Sequence, residues 1–216
     1  MSQIWKMPQQ ARYIQYAERM VAQFEDDYKH GRVPEKTKDF NNRGDRWHGK
    51  VIEAAFFDRF GIPFPEKENY LPYDCSYYNF KLDTKNQRAT GVPLPHYDSN
   101  YKASQSDNKC DLFIFSRTQA PKDTKKRIDA IFLCGWAMIE RIHLRGHLEN
   151  KGTVITRSDR SSFPLESDTW MLPFSQLFPM GILTEFCKNY HREDLKWYEA
   201  ECWKEDQLLS KTGELL

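Results

Sequence analysis

Near the start of the chain apolar residues recur at steps of three and four. Ile14, Ala17, Val21, Phe24 and Tyr28 make one such stripe within residues 9–30, which predicts an amphipathic packing helix. Gly31 and Pro34 end it. A second helix is expected from a cap at Asn41 or Asn42 to Phe60, stopped by Gly61. The period then changes from helical to alternating. Phe80 and Leu82 point one way and Lys81, Asp83 and Lys85 the other, as side chains of a half-buried strand do. Leu71–Asp74 supplies a preceding arm and Cys75–Tyr78 a link, so residues 70–85 read as a β-hairpin. Residues 86–109 are rich in Pro, Ser and Asn and lack a period, which predicts a long loop with a short helix near 100–105. Cys110–Phe115 and Ile128–Trp136 are continuous apolar runs and read as buried strands, the second of them central. A charged turn at 116–127 joins them. Beyond these lie a helix at 137–144, a polar loop at 149–167, a short strand at 168–172 and a helical turn at 174–178. Two further helices, 180–190 and 193–210, complete the pattern. The fold class is α/β, a mixed central β-sheet flanked by helices, in a single domain of residues 1–216 without internal repeats.

Composition narrows the function classes. The net charge is +1, which does not suggest a protein that coats nucleic acid but leaves room for a local basic groove. Aromatic residues make up 14% of the chain, too many for a disordered segment. The mean hydropathy is −0.79, and no apolar run is long enough to cross a bilayer. The N-terminus lacks a signal-peptide core, so a cytoplasmic location is expected. Cys75, Cys110, Cys134, Cys187 and Cys202 are scattered without a CxxC spacing, which fits reduced thiols rather than a disulfide framework.

The candidate chemistry lies on the hairpin. Folding it back brings Asp74 beside Asp83, with the Lys85 ammonium on the same face. Two close carboxylates repel, and they bind a cation or raise one pKa in response. With oxygen donors that cation is Mg²⁺ or Mn²⁺. The plain alternative is a solvated pair, because acid-x-Lys also occurs at Asp27/Lys29, Asp107/Lys109, Asp123/Lys125, Glu149/Lys151 and Asp194/Lys196. Glu53 is the odd member of the second helix, one turn from Gly49, Phe56 and Phe57. A carboxylate there either points into a cleft or pairs with a cation, with Lys50 or Arg46 as partner if it lies on the surface. His143 and His147 stand four apart, a helical zinc spacing, but Gly146 intervenes and no HExxH frame surrounds them.

The succession of a helix with an inward Glu53, a hairpin with Asp74, and Asp83-Thr84-Lys85 on its second strand resembles the PD-(D/E)XK nuclease superfamily, the restriction-endonuclease-like fold. The likeness is to its small stand-alone bacterial or phage type and covers about residues 42–172, with 1–41 and 173–216 as helical extensions. Two departures stand out: Asp74 follows Tyr73 rather than Pro, and residues 86–109 signal poorly the crossover helix that the family places after the Asp-x-Lys strand. The resemblance implies a Mg²⁺-dependent (or Mn²⁺-dependent) deoxyribonuclease. Asp74 and Asp83 would bind the metal, Glu53 would join them directly or through water, and Lys85 would orient or deprotonate the attacking water. DNA is the implied partner, with no membrane and with a homodimer compatible. Lys81, Arg88, Lys102, Arg157 and Arg160 are the candidate backbone contacts. If phage-encoded, the chain would act in the host cytoplasm. Two rival readings remain: a catalytically silent nuclease-fold protein that binds nucleic acid or inhibits another protein, and a zinc protein using His143, His147 and a cysteine.

Overall fold

The computed structural model describes residues 4–34, 43–68, 70–105, 110–121, 126–156 and 162–191, with the side chains of 43–45 and 105 excepted. The expected cap at Asn41 or Asn42, Arg157, Arg160, Cys202 and the helix expected over 193–210 lie outside these residues. Four α-helices are described: α1 (Ala11–Lys29), α2 (Arg43–Phe60), α3 (Ile139–Arg145) and α4 (Leu183–Asn189). Ten strands accompany them: β1 (Trp5–Met7), β2 (Cys75–Tyr77), β3 (Phe80–Ala89), β4 (Asp98–Lys102), β5 (Leu112–Gln119), β6 (Ala130–Met138), β7 (His147–Glu149), β8 (Val154–Thr156), β9 (Ser162–Pro164) and β10 (Thr169–Pro173).

The central sheet runs β1-β6-β5-β3-β2. Among the described residues only β3 and β5 are parallel in it; the other pairs are antiparallel. β6 is buried along its whole length, as its unbroken apolar run requires of a strand covered on both faces. One face of the sheet, carrying Phe80, Leu82, Leu112, Ile114, Ile131 and Leu133, packs on α1 and α2. The opposite face, carrying Phe113, Phe115, Phe132 and Cys134, packs on a smaller sheet of order β4-β10-β7 and on α3. Asp83 and Lys85 belong by alternation to this second face, and Phe80 and Leu82 to the first.

Several expectations need correction. The inner stripe of α1 is Tyr13, Tyr16, Ala17, Met20, Val21 and Phe24, while Tyr28 is 48% exposed; the larger tyrosines and methionine take the buried side. The hairpin turn is Tyr78-Asn79, because Cys75–Tyr77 pairs directly with Phe80–Leu82. Residues 98–102 form strand β4 and only 103–105 a 3-10 turn. β5 continues to Gln119, through part of the expected charged turn. The polar stretch 149–167 contains the hairpin β8–β9. The residues before 42 add a strand as well as a helix, since Trp5–Met7 extends the central sheet. Finally, the described part of the connection between parallel β3 and β5 holds β4 and a 3-10 turn where the family resemblance implies a crossover helix. The architecture is therefore a mixed α/β fold with a mixed central sheet.

Candidate active site

Asp74 stands one residue before β2. Its backbone N–H donates to the Leu82 carbonyl at 2.9 Å, so it lies directly against the strand that carries Asp83. Its Oδ2 accepts from the Thr84 N–H at 2.7 Å and from the Thr84 hydroxyl at 2.6 Å. Two donors from one residue fix the carboxylate in orientation.

Two groups of side chains meet at Asp74. On one side is Asp83, 9% exposed, whose charge Asp74 acts on. Lys85 Nζ contacts Asp83 Oδ2 at 2.6 Å and lies 5.7 Å from the centre of the Phe113 ring. Burial is the largest influence on Asp83. Lys85 opposes it, Asp74 reinforces it, and the Asp83 carboxyl is pushed up to about 6.

On the other side is Glu53, 7% exposed. The Lys50 ammonium, one helical turn earlier, lies 2.8 Å from Glu53 Oε2, and the Tyr16 hydroxyl donates to the same oxygen at 3.3 Å. Burial pushes the Glu53 carboxyl up to about 8; Asp74 adds to the rise and Lys50 resists it. Lys50 also contacts Glu68 Oε2 at 2.9 Å. Burial disfavours the charge on Lys50, but Glu53, Asp74 and Glu68 together outweigh it and hold the ammonium protonated, above its ordinary range. The two open readings of Glu53 thus merge, since it both lies in a cleft and pairs with a cation. Tyr16, Lys50, Glu53, Glu68, Tyr73 and Asp74 line that cleft, which encloses about 20 Å³. A space of that size admits one water or a bare ion.

The structure therefore brings Asp83 and Lys85 to Asp74, and Glu53 to Asp74 from the other side. Among the described residues no group of three or more His, Cys, Asp or Glu side chains stands ready to hold a metal ion. The donor set nevertheless fits a divalent cation at Asp74 and Asp83. These are hard oxygen ligands on neighbouring backbone positions, and two carboxylates brought together favour a proton or a cation between them.

The proposed nucleic-acid contacts are spread out. Lys81 is half-buried, with its ammonium 5.3 Å from the centre of the Tyr73 ring at the edge of the cleft. Arg88 sits on the opposite face of β3 from Asp83 and donates to the Pro121 carbonyl at 2.6 Å. Lys102 is exposed at the end of β4, in the other sheet. His143 and His147 do not share a helix: α3 ends before Gly146 and His147 begins β7. His143 lies against the Trp170 ring and His147 against Glu149. The helical spacing that suggested zinc is lost. Cys75, Cys110, Cys134 and Cys187 are free thiols.

Glu68 escaped the sequence reading, because it lies in a segment without a period. Lys50 was visible only as a surface partner of Glu53. The clue to both was the burial of Glu53 beside two phenylalanines, which obliges a counter-charge.

Comparison with protein-family models, with curated proteins and with solved structures returns no match. Among the described residues no helix is long and apolar enough to cross a membrane.

Proposed function

We propose that the chain is a Mg²⁺- or Mn²⁺-dependent nuclease that hydrolyses DNA phosphodiester bonds. The observation that carries this reading is the convergence of Asp74, whose N–H is tied to the Leu82 carbonyl at 2.9 Å, with Asp83 and the Lys85 ammonium 2.6 Å from it. Asp74 and Asp83 would hold the cation, with Glu53 reaching it through water. The cation, when bound, supplies charge neutralisation for an anionic phosphodiester and acidifies a water. Thr84 keeps Asp74 aimed. Lys85 offers a proton-bearing group at the same point, suited to orient water and to offset charge as it develops on the phosphoryl oxygens. Lys81, at the rim, suits a phosphate contact whose strength falls with salt.

The test is incubation of the chain with plasmid, linear and single-stranded DNA in Mg²⁺, Mn²⁺ or EDTA. Cleavage that needs the metal and disappears in Asp83→Asn supports the assignment; cleavage that survives in Asp83→Asn overturns it. The silent-fold reading draws on one observation, the direct Asp83–Lys85 contact, which satisfies both groups without a metal. Calorimetry separates the two readings: a silent module shows no Mn²⁺ binding that depends on Asp74.

A further inference from the structure

Lys50 is an ammonium placed among acids. It is 9% exposed and touches two carboxylates, Glu53 at 2.8 Å and Glu68 at 2.9 and 3.2 Å. Asp74, in the same cleft, also acts on its charge. Glu53 and Glu68 come from different parts of the fold. Glu53 is on α2, three residues after Lys50. Glu68 lies in the strap between α2 and β2, whose backbone is tied to α1: the Glu68 N–H donates to Gln23 Oε1 at 2.9 Å, and Arg19 donates to the Pro65 carbonyl at 2.9 Å. The strap therefore presents Glu68 to Lys50 from a fixed position.

This arrangement bears on why two acids, rather than three, meet at the Asp74–Asp83 pair. Glu53 lies on the other side of Asp74 with its Oε2 engaged by Lys50 and Tyr16. Any divalent cation that takes Glu53, directly or through water, competes with an ammonium already there. Losing Glu53 would leave a buried lysine uncompensated, an expensive state, unless a second carboxylate held it. Glu68 is that carboxylate.

We propose that Lys50 is the built-in counter-cation of the acidic site, and that Glu68 retains it when a divalent cation claims Glu53. This rests on the metal-binding part of the function proposed above. Lys50 and Glu68 are positioning residues here. Lys50 withholds Glu53 in the metal-free protein through their direct contact, and Glu68 holds Lys50 in place when Glu53 is released. Removing Lys50 and removing Glu68 therefore push metal affinity in opposite directions, although the two side chains touch.

The experiment is calorimetric titration of the full chain with Mn²⁺ at one neutral pH, for wild type, Lys50→Met, Lys50→Arg, Glu68→Gln and the Lys50→Met/Glu68→Gln double variant. Lys50→Met is expected to tighten Mn²⁺ binding about tenfold, the scale of one nearby unit charge partly screened. Glu68→Gln weakens it several-fold, and Lys50→Arg stays near wild type. In the Lys50→Met background, Glu68→Gln does much less, because there is no ammonium left to retain; that non-additivity separates retention from simple charge attraction. Melting curves give a second readout: Lys50→Met melts lower without metal, and Mn²⁺ restores more of its stability than of wild type's. Wild type that binds and cleaves while Lys50→Met binds no tighter overturns this inference and leaves the nuclease reading standing. Equal effects of Glu68→Gln in both backgrounds also overturn it. Binding absent in wild type but gained in Lys50→Met supports it. Binding absent in every variant overturns both.

Discussion

Asp83 and Glu53 keep protons at pH values where a surface carboxylate has lost them, and that fixes how the site responds to substitution and to pH. Because the folded state disfavours the charged form of Asp83, with its value raised to about 6, its neutral isostere relieves a cost. Asp83→Asn should keep a melting transition close to that of wild type, because the relieved cost of burying the charge offsets the lost Lys85 pair, while lowering metal-dependent cleavage by about a hundredfold or more, the scale of losing a group that holds a catalytic ion. Joint loss of activity and of the melting transition would mean that Asp83 is structural. The pH dependence follows with a definite sign. Between the ordinary carboxylate range and the raised values, about 6 for Asp83 and about 8 for Glu53, the folded chain holds protons that the unfolded chain releases. The stability these two groups contribute is present below the ordinary range and is lost as pH rises through 6 and then 8. Melting temperatures measured without metal should accordingly carry a falling component from pH 5 to 8. Mn²⁺ affinity should rise over the same interval, since a bound cation replaces those protons. A metal affinity flat across pH 6–8 would contradict this.

Elements with a strong period were legible in the sequence, and those made by pairing alone were not. α1 and β3 announce themselves because burial of one stripe or one face leaves a repeat, β6 because burial of both faces leaves an unbroken apolar run, and α2 through its stop at Gly61. Glu53 was legible for the same reason, as an acid interrupting an apolar face. β1 is three residues long and too short to show any period; it exists because the β6 edge is there to pair with. β4 does alternate, burying Ser99 and Tyr101, but its polar composition and the prolines at 93 and 95 hid it. Glu68 could not be found without knowing where the strap passes. Close backbone approach is likewise a tertiary fact. Gly135 in β6 has φ +148, and a Cβ added there would lie 2.6 Å from Leu177 Cβ and 2.7 Å from the Phe178 carbonyl oxygen. β6 and residue 178 exchange backbone hydrogen bonds through Trp136 at 3.0 and 2.9 Å, so neither side can retreat freely. Gly135→Ala should cost about 2–3 kcal/mol in urea unfolding, combining strained backbone with overpacking. A loss below about 0.5 kcal/mol, the level of an unremarkable surface change, would mean that the 174–178 segment moves aside.

The small sheet is a back plate for the face of β3 that carries Asp83 and Lys85. Gln87, on that face, donates to the Asp98 carbonyl at 2.9 Å and to Asn100 Oδ1 at 2.7 Å, tying β3 to β4. Ser99 donates to the Leu172 carbonyl at 2.7 Å, tying β4 to β10. Tyr101 fills the space between the sheets: it is 1% exposed, its ring lies 4.6 Å from that of Phe113, and Lys85 Nζ lies 5.9 Å from its centre. Tyr101 thus covers the Lys85 end of the Asp83–Lys85 pair from a different sheet. Tyr101→Ala should cost about 3–5 kcal/mol, as removal of a large buried aromatic does, which is within reach of a domain of ordinary stability. It should also admit water beneath the Asp83–Lys85 pair, so that the Asp83 carboxyl falls from about 6 toward the ordinary carboxylate range. Carbon-13 NMR titration of the aspartate side chains in the folded variant reads this directly. If stability drops while the Asp83 titration stays in place, the small sheet only supports the fold, and the desolvation at the acidic site comes from the central sheet and its helices alone.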